Sequence, residues 1–391
     1  MNKSKPLKIA YLCDLTPLES WSYSSGNSHI YNSLKSHVGD VEILDVKWSG
    51  VEPLRRLLNK LPEAINLRAR WRLHLFLAKY IAKTVNQQLA TGQFDVLFCA
   101  YSFHSLARLK IPENTVVVFA ADATPSTYKN SMIGASFGSY LSISRWLDPL
   151  VLRSEKRILG GTDLNLWPSD WQRLSAIQTY NLSDEKSITI PWGANIPPLP
   201  ENDVAPAIHP NRPINLVLLG RDWQAKGGPK TVAILDILTA QNVKAHLTVI
   251  GCVPPEQDIR TNMTIHAQLD KSNSHDLEIF ERVLASSHFM VMPSFEAYGF
   301  AFCEASAYGL PSLCLDVGGV PVFEGVNGHR FALEAPSSEY VDKIRYYLAA
   351  PDQYTRLRQS SRELYETTLN WEAWGTSLYA LLQERVRLKK T

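Results

Sequence analysis

The sequence predicts an α/β protein made of two Rossmann-like domains, and three observations predict it. Short apolar runs of strand length alternate with longer helical runs along the whole chain, the pattern of parallel sheets covered by helices. At 391 residues the chain exceeds what one core usually supports, and domains of about 150–200 residues would divide it in half. A proline-rich stretch without apolar periodicity, residues 196–213, lies near the middle and reads as a linker.

The elements follow in order. Residues 8–13, 41–46, 95–100, 115–120, 163–167 and 187–190 are the expected strands of the first half. In the second half they are 214–219, 245–250, 263–267, 288–292, 312–315 and 329–333. Such runs, apolar throughout rather than alternating, suit strands buried on both faces. The domains are therefore expected at 1–195 and 214–370, with a helix-like run, 371–391, closing the chain.

Composition narrows the class. Hydrophobic residues at 45% and charged ones at 20% are ordinary for a globular protein and argue against disorder. A net charge of +2 gives no general attraction to polyanions, so nucleic acid is not an expected partner. Five cysteines, an odd number set mostly in strand-like runs, read as reduced buried thiols, and their spacing with histidine is unlike a zinc site. Met1 to Pro6 is polar, and Leu7 to Leu12 is too short for the core of a signal peptide. No apolar run approaches the roughly 20 residues of a membrane-spanning helix. A cytoplasmic protein is the expectation.

The chemistry is concentrated in residues 293–311. Residues 288–292 form a strand, Pro293 and Ser294 close it, and a helix is expected from about Phe300, because Phe302, Ala305, Ser306 and Gly309 recur at helical spacing. Glu296 then stands in the loop at the helix N-terminus and Glu304 about one turn inside. Free N–H groups and the helix dipole suit a phosphate there. A carboxylate would repel a phosphate, so the two glutamates are better placed to accept hydrogen bonds from neutral hydroxyls. Hydroxyls beside phosphates describe a nucleotide sugar. The bland alternatives are a dipole-favoured carboxylate at Glu296 and a solvated one at Glu304. Phe302, Cys303 and Ala305 argue against the second, since burying a carboxylate requires a partner.

A second element points the same way. The apolar strand 214–219 runs into Gly220, Arg221 and, after four residues, Lys226, Gly227 and Gly228. Such a turn offers a diphosphate one forked donor and one point charge. Standing alone it would read as an ordinary basic surface turn.

Glu296 and Glu304, with Gly299, Ala305, Ala307, Gly309 and Pro311 around them, resemble the paired-glutamate signature of the retaining glycosyltransferases of family four. That family has the GT-B fold, two Rossmann-like domains facing across a cleft. The resemblance implies that Glu296 contacts donor-sugar hydroxyls, that Glu304 binds the nucleotide ribose, and that Arg221 and Lys226 stabilise the leaving diphosphate. It places Gly220, Tyr298, Gly299 and Phe300 at the donor as well, and it implies no cofactor and no metal. Gly318 and Gly319 match the family's glycine loop. The loop departs from the pattern after Pro321, where Val322 and Phe323 precede Glu324. Asn370, Trp371 and Glu372 resemble the lead-in to the family's last helix, which packs back on the N-terminal domain.

The N-terminal half is expected to take the acceptor. Residues 14–29 form a long polar loop with Trp21, Tyr23 and Gly26, and aromatic faces there could pack on sugar rings. The resemblance makes Gly26 the match for the family's glycine-bearing loop, which contacts donor and acceptor. After strand 115–120, Ala121 stands where many family members carry a histidine, which leaves Asp122 as a catalytic candidate. His104 is another candidate for the acceptor side. Residues 54–83 carry Arg55, Arg56, Lys60, Arg68, Arg70, Arg72, Lys79 and Lys83 against Glu63 alone, interleaved with Trp71 and Phe76. A basic amphipathic segment can hold an enzyme on an anionic membrane surface; otherwise it is a packed helix with a solvated face. Vesicle sedimentation lost on arginine-to-glutamate replacement would separate the two.

The expected activity is transfer of a sugar from a nucleoside diphosphate sugar to a saccharide or lipid-linked saccharide. The rivals are a nucleotide-sugar epimerase and a non-catalytic partner protein of the same fold.

Overall fold

The computed structural model describes residues 6–19, 22–46, 53, 57, 63–136, 148–197, 206–209 and 212–391; for 63–74 and 136 the backbone alone is described. The chain divides into two compact units. The first comprises Met1–Trp192 with Trp371–Thr391, and the second is the continuous stretch Gly193–Asn370.

The first unit runs β1 (Leu7–Leu12), α1 (Gly26–Ser33), β2 (Gly39–Ile43), α2 (Glu63–Gly92), β3 (Val96–Ala100), β4 (Val116–Ala120), α3 (Pro125–Asn130), α4 (Met132–Ser136), α5 (Asp148–Gly160), β5 (Leu164–Trp167), α6 (Asp170–Tyr180) and β6 (Ser187–Thr189). Its six strands are all parallel, in the order β2-β1-β3-β4-β5-β6. Every residue of β3 and β4 is buried, as expected for strands covered on both faces. The strand expected at 41–46 starts earlier and stops at Ile43. Its far end is diverted: the Asp45 N–H donates to Oε1 of Gln88 on α2 at 2.8 Å, and Gln88 Nε2 donates back to the Asp45 carbonyl at 3.1 Å. Gly39 begins β2 because a Cβ there would lie 2.0 Å from the Leu7 carbonyl oxygen.

The described side chains of α2 sort by face. Leu77, Ala78, Ile81, Ala82, Val85 and Leu89 are buried, whereas Phe76, Lys79, Tyr80 and Lys83 are exposed. The other basic residues of the segment, Arg55, Arg56, Lys60, Arg68, Arg70 and Arg72, have side chains outside the described residues.

The second unit contains β7 (Ile214–Leu219), α7 (Gly228–Ala240), β8 (Ala245–Ile250), β9 (Met263–His266), α8 (Ser274–Ser286), β10 (Phe289–Met292), α9 (Phe300–Ala307), β11 (Ser312–Leu315), β12 (Gly328–Phe331), α10 (Ser337–Ala349) and α11 (Pro351–Thr367). Its parallel sheet is ordered β12-β11-β10-β7-β8-β9. The stretch expected as a linker, 196–213, belongs to this unit in its described part. Ile208 is buried in the same apolar cluster as Ile214, Leu216 and Tyr354, and an isoleucine packed in a core is not a free tether; residues 198–205, 210 and 211 lie outside the described residues.

The last helix, α12 (Trp371–Lys390), belongs to the first unit. Trp374, Leu378, Leu382 and Val386, spaced by four, form its buried face. Ser33 Oγ donates to the Trp371 carbonyl at 2.7 Å, and Lys389 and Lys390 pair with Asp163 at 2.5 Å and Asp95 at 2.6 Å. Gly375 permits the approach, since a Cβ there would stand 2.5 Å from Ser33 Oγ. Among the described residues no helix is long and apolar enough to cross a membrane.

Glu155 on α5 is fully buried and accepts from the Ser126 N–H at 3.1 Å and from the Ser126 hydroxyl, at the start of α3. Burial raises its pKa from 4.5 to about 7, with the Ser126 hydrogen bonds opposing. A carboxyl that binds its proton more tightly when folded contributes stability below about pH 4.5 and loses it as pH rises through 7. Glu155→Gln is therefore expected to be more stable than wild type at pH 8, by about 3 kcal/mol at most, and equal to it at pH 4. Urea denaturation at the two pH values checks this; equal gains at both would refute it.

Candidate functional site

In open parallel sheets ligands bind outside the carboxyl ends of the strands, at the point where strand order reverses. In the second unit that point lies between β7 and β10, because β8 and β9 continue on one side and β11 and β12 on the other. Both loops leaving this point carry predicted site residues.

After β7 the chain turns through Gly220 and Arg221 to Lys226, Gly227 and the start of α7. The stem of Lys226 lies over Gly220, where a Cβ would sit 2.3 Å from Lys226 Cγ. Gly227 has φ +75° and its missing Cβ would come 2.3 Å from the Pro293 carbonyl oxygen, so two features require glycine at this position. The two loops are thereby in contact. Across that contact Lys226 Nζ pairs with Glu296 Oε1, to which Ser294 Oγ also donates at 3.1 Å. Arg221 is exposed.

Glu296 is fixed from a third strand end as well. It forms an isolated parallel bridge with Gly318, beyond β11, and the Gly319 N–H donates to the Ala297 carbonyl at 3.2 Å. The glycine loop thus lies alongside the first glutamate. Gly299, at φ +92°, then caps α9 with a left-handed backbone and no side-chain hydrogen bond. Phe300, half-buried, is the first residue of α9, and its ring lies 5.8 Å from that of Tyr298. Tyr298 is only 2% exposed, and its hydroxyl accepts from the Cys303 thiol at 3.6 Å. Any donor contact at Tyr298 therefore falls to its backbone.

Glu304 is buried, as its neighbours foretold, and its partner is Lys271, whose Nζ stands 2.6 Å from Oε1. Lys271 comes from the loop after β9 and also lies 4.2 Å from the centre of the Phe280 ring. Burial raises the Glu304 pKa, with the Lys271 charge opposing. Sequence reading did not single out Lys271 or Ser294. The available signal was position alone, since both follow the carboxyl end of a strand.

In the first unit the strand order reverses between β1 and β3. Gly26, buried, opens α1 beyond β1, and Tyr23, half-buried, precedes it. His104, 3% exposed, follows β3, with Nε2 3.9 Å from Asp14 Oδ2. Asp122 follows β4 and is half-buried. Trp21 lies outside the described residues. Asp14, Asn27, Tyr101 and Ser102 were not singled out from sequence. Asn27 is fully buried and ties the loop together: Tyr11 donates to its Oδ1 at 2.6 Å, and its Nδ2 donates to the Leu15 carbonyl at 3.1 Å.

Residues 213–350 match the family model described as glycosyl transferases group 1. No curated protein matches the chain. Among solved structures, sucrose-phosphate synthase from Thermosynechococcus elongatus is similar with a TM-score of 0.67 and 16% identity, over 98% of this chain and 100% of that one. Anabaena HepE in complex with UDP and glucose gives 0.59 and 13%, over 97% and 100%. WaaG, a glycosyltransferase involved in lipopolysaccharide biosynthesis, gives 0.59 and 15%, over 98% and 99%. At these identities the likeness is one of fold, and the fold is GT-B.

Proposed function

We propose that the protein is a retaining glycosyltransferase that moves a sugar from a nucleoside diphosphate sugar to a saccharide or lipid-linked saccharide, in the synthesis of a surface polysaccharide or glycolipid on the cytoplasmic side of a membrane. The observation that carries the reading is the meeting of Lys226 with Glu296, from adjacent strand ends, beside the N-terminus of α9. A cation and the positive end of the helix dipole hold the phosphates, while a carboxylate turns to the sugar hydroxyls. Glu304, buried and held by Lys271, is suited to the two ribose hydroxyls. The match of residues 213–350 to the group 1 model supports the assignment.

In mechanism, the diphosphate departs as negative charge develops on its bridging oxygen. Arg221, Lys226 and the N-termini of α7 and α9 stabilise that charge, which makes a divalent cation unnecessary. Glu296 is engaged by a lysine and a serine, so it orients the sugar rather than attacking it. The acceptor hydroxyl then approaches on the face the diphosphate leaves and passes its proton to the departing phosphate, which retains the anomeric configuration. The first unit takes the acceptor, with Asp122 and Tyr23 as its contacts.

Thermal stabilisation by UDP, GDP, ADP and their sugar conjugates tests the reading. One base is expected to stabilise the protein, by about 3 kcal/mol at a hundredfold excess over its dissociation constant, and Glu304→Ala is expected to lose the effect. No shift with any nucleotide would overturn the assignment and leave a non-catalytic protein of this fold.

A further inference from the structure

The strand order of the first unit reverses where the loops after β1 and β3 diverge, and an unusual backbone stands there. Tyr23, Ser24 and Ser25 are three consecutive non-glycine residues with φ of +50°, +53° and +70°, and across the switch Tyr101 has φ +58°. L residues avoid this region, aromatic ones especially, and such a run persists only where its surroundings over-determine it.

What over-determines it is Asp14. Its side chain is 2% exposed, and Oδ1 accepts from the Tyr23 hydroxyl at 2.8 Å and from Ser102 Oγ at 2.6 Å. Ser102 Oγ in turn accepts from the Asp14 N–H at 2.8 Å, so the two strand ends are tied by a reciprocal pair. With its hydroxyl held, the Tyr23 ring lies flat on Tyr101, centroids 3.9 Å apart and planes within 3°. Tyr101 is backed by Trp192 at 5.5 Å. The Tyr101 hydroxyl is buried with no hydrogen-bond partner among the described residues, which suits it to a ligand hydroxyl or a water.

We infer that Asp14 is a positioning residue for acceptor binding: by clasping Tyr23 and Ser102 it locks the left-handed turn Tyr23–Ser25 and the stacked tyrosine pair into a preformed wall for a saccharide ring. The inference rests on the reading of the first unit as the acceptor side. An aromatic face with polar groups at its edge matches the alternating apolar faces and hydroxyl rims of a sugar. Rigid placement spares the ordering cost that a mobile loop would charge against affinity.

Two mild variants test it. Tyr23→Phe deletes one hydroxyl from a half-exposed ring, and Asp14→Asn keeps the shape but removes the charge. Amide hydrogen exchange is read in residues 22–27. Kinetics use the donor selected by nucleotide stabilisation and methyl glycosides of glucose, galactose and mannose as acceptor probes. Each variant is expected to speed exchange in this segment about tenfold or more, since Tyr23→Phe deletes a hydrogen bond to a charged group and Asp14→Asn removes the charge that strengthens it. Each should raise the acceptor KM by about tenfold while kcat and donor affinity stay within about twofold. Adding Tyr23→Phe to Asp14→Asn should cost less than Tyr23→Phe alone, because both act on the link between Tyr23 and Asp14. Unchanged exchange, an effect confined to kcat, or additive losses would overturn the inference. So would faster exchange with an unchanged acceptor KM. Failure of the transferase reading is distinct, since it would appear as absent nucleotide stabilisation in the wild type.

Discussion

Lys226→Ala is expected to lower turnover by about 10²–10³-fold, the usual cost of removing one preorganised group from a developing anion. Two losses combine. The departing diphosphate loses a point charge, and Glu296 loses the cation that now holds it, leaving Ser294 on Oε1 among the described residues. The variant should stay folded, because the Lys226 side chain is about one-quarter exposed and its stem fills no core. Arg221→Ala should act in the same direction. Arg221 is exposed and is expected to act on the bound donor alone, so its loss should leave Glu296 paired. Steady-state kinetics with circular dichroism on both variants decide the matter. Near-normal turnover in both would sink the proposed role of this loop.

Trp374→Ala is expected to carry the largest stability effect of any single change considered. The indole is 1% exposed, lies edge-on to Phe98 of β3 at 6.3 Å, and meets Trp371 at 5.6 Å. Truncating a buried tryptophan costs about 3–5 kcal/mol, which for a unit of this size lowers the melting temperature by roughly 10 °C. Trp374 and Phe98 both belong to the first unit. The loss should therefore fall on the transition of the first unit, while nucleotide stabilisation of the second survives. Calorimetry with and without nucleotide would show this, and a single transition shifted as a whole would contradict it.

The fold was largely legible because parallel strands buried on both faces leave continuous apolar runs, and all twelve runs became strands. Boundaries moved where side chains intervened. Gln88 captures the backbone at Asp45 and ends β2 early, a contact across 43 residues that no local pattern displays. Ile208 was read as linker because one isoleucine among prolines carries no periodicity, yet it is buried. The site divided similarly. Glu296, Glu304, Arg221 and Lys226 stand out through spacing and flanking glycines. Their partners do not: Lys271 reaches Glu304 across 33 residues, and Ser102 reaches Asp14 across 88. Such pairings arise when strand ends gather at the switch points, and a chain read in order cannot show which loops will meet. The left-handed turn was equally hidden, since Tyr, Ser and Ser are not residues that announce positive φ.

The return of α12 to the first unit has a consequence for how the molecule is made. The second unit is a continuous insertion, Gly193–Asn370, whereas the first is finished only by Trp371–Thr391. On the ribosome the inserted unit is therefore the first to have its whole sequence available. The N-terminal unit waits, with the seat of Trp374 and Leu378 open, until residues 371–391 emerge. Deleting residues 371–391 is therefore expected to spare the continuous second unit and to leave the first without the buried face of α12.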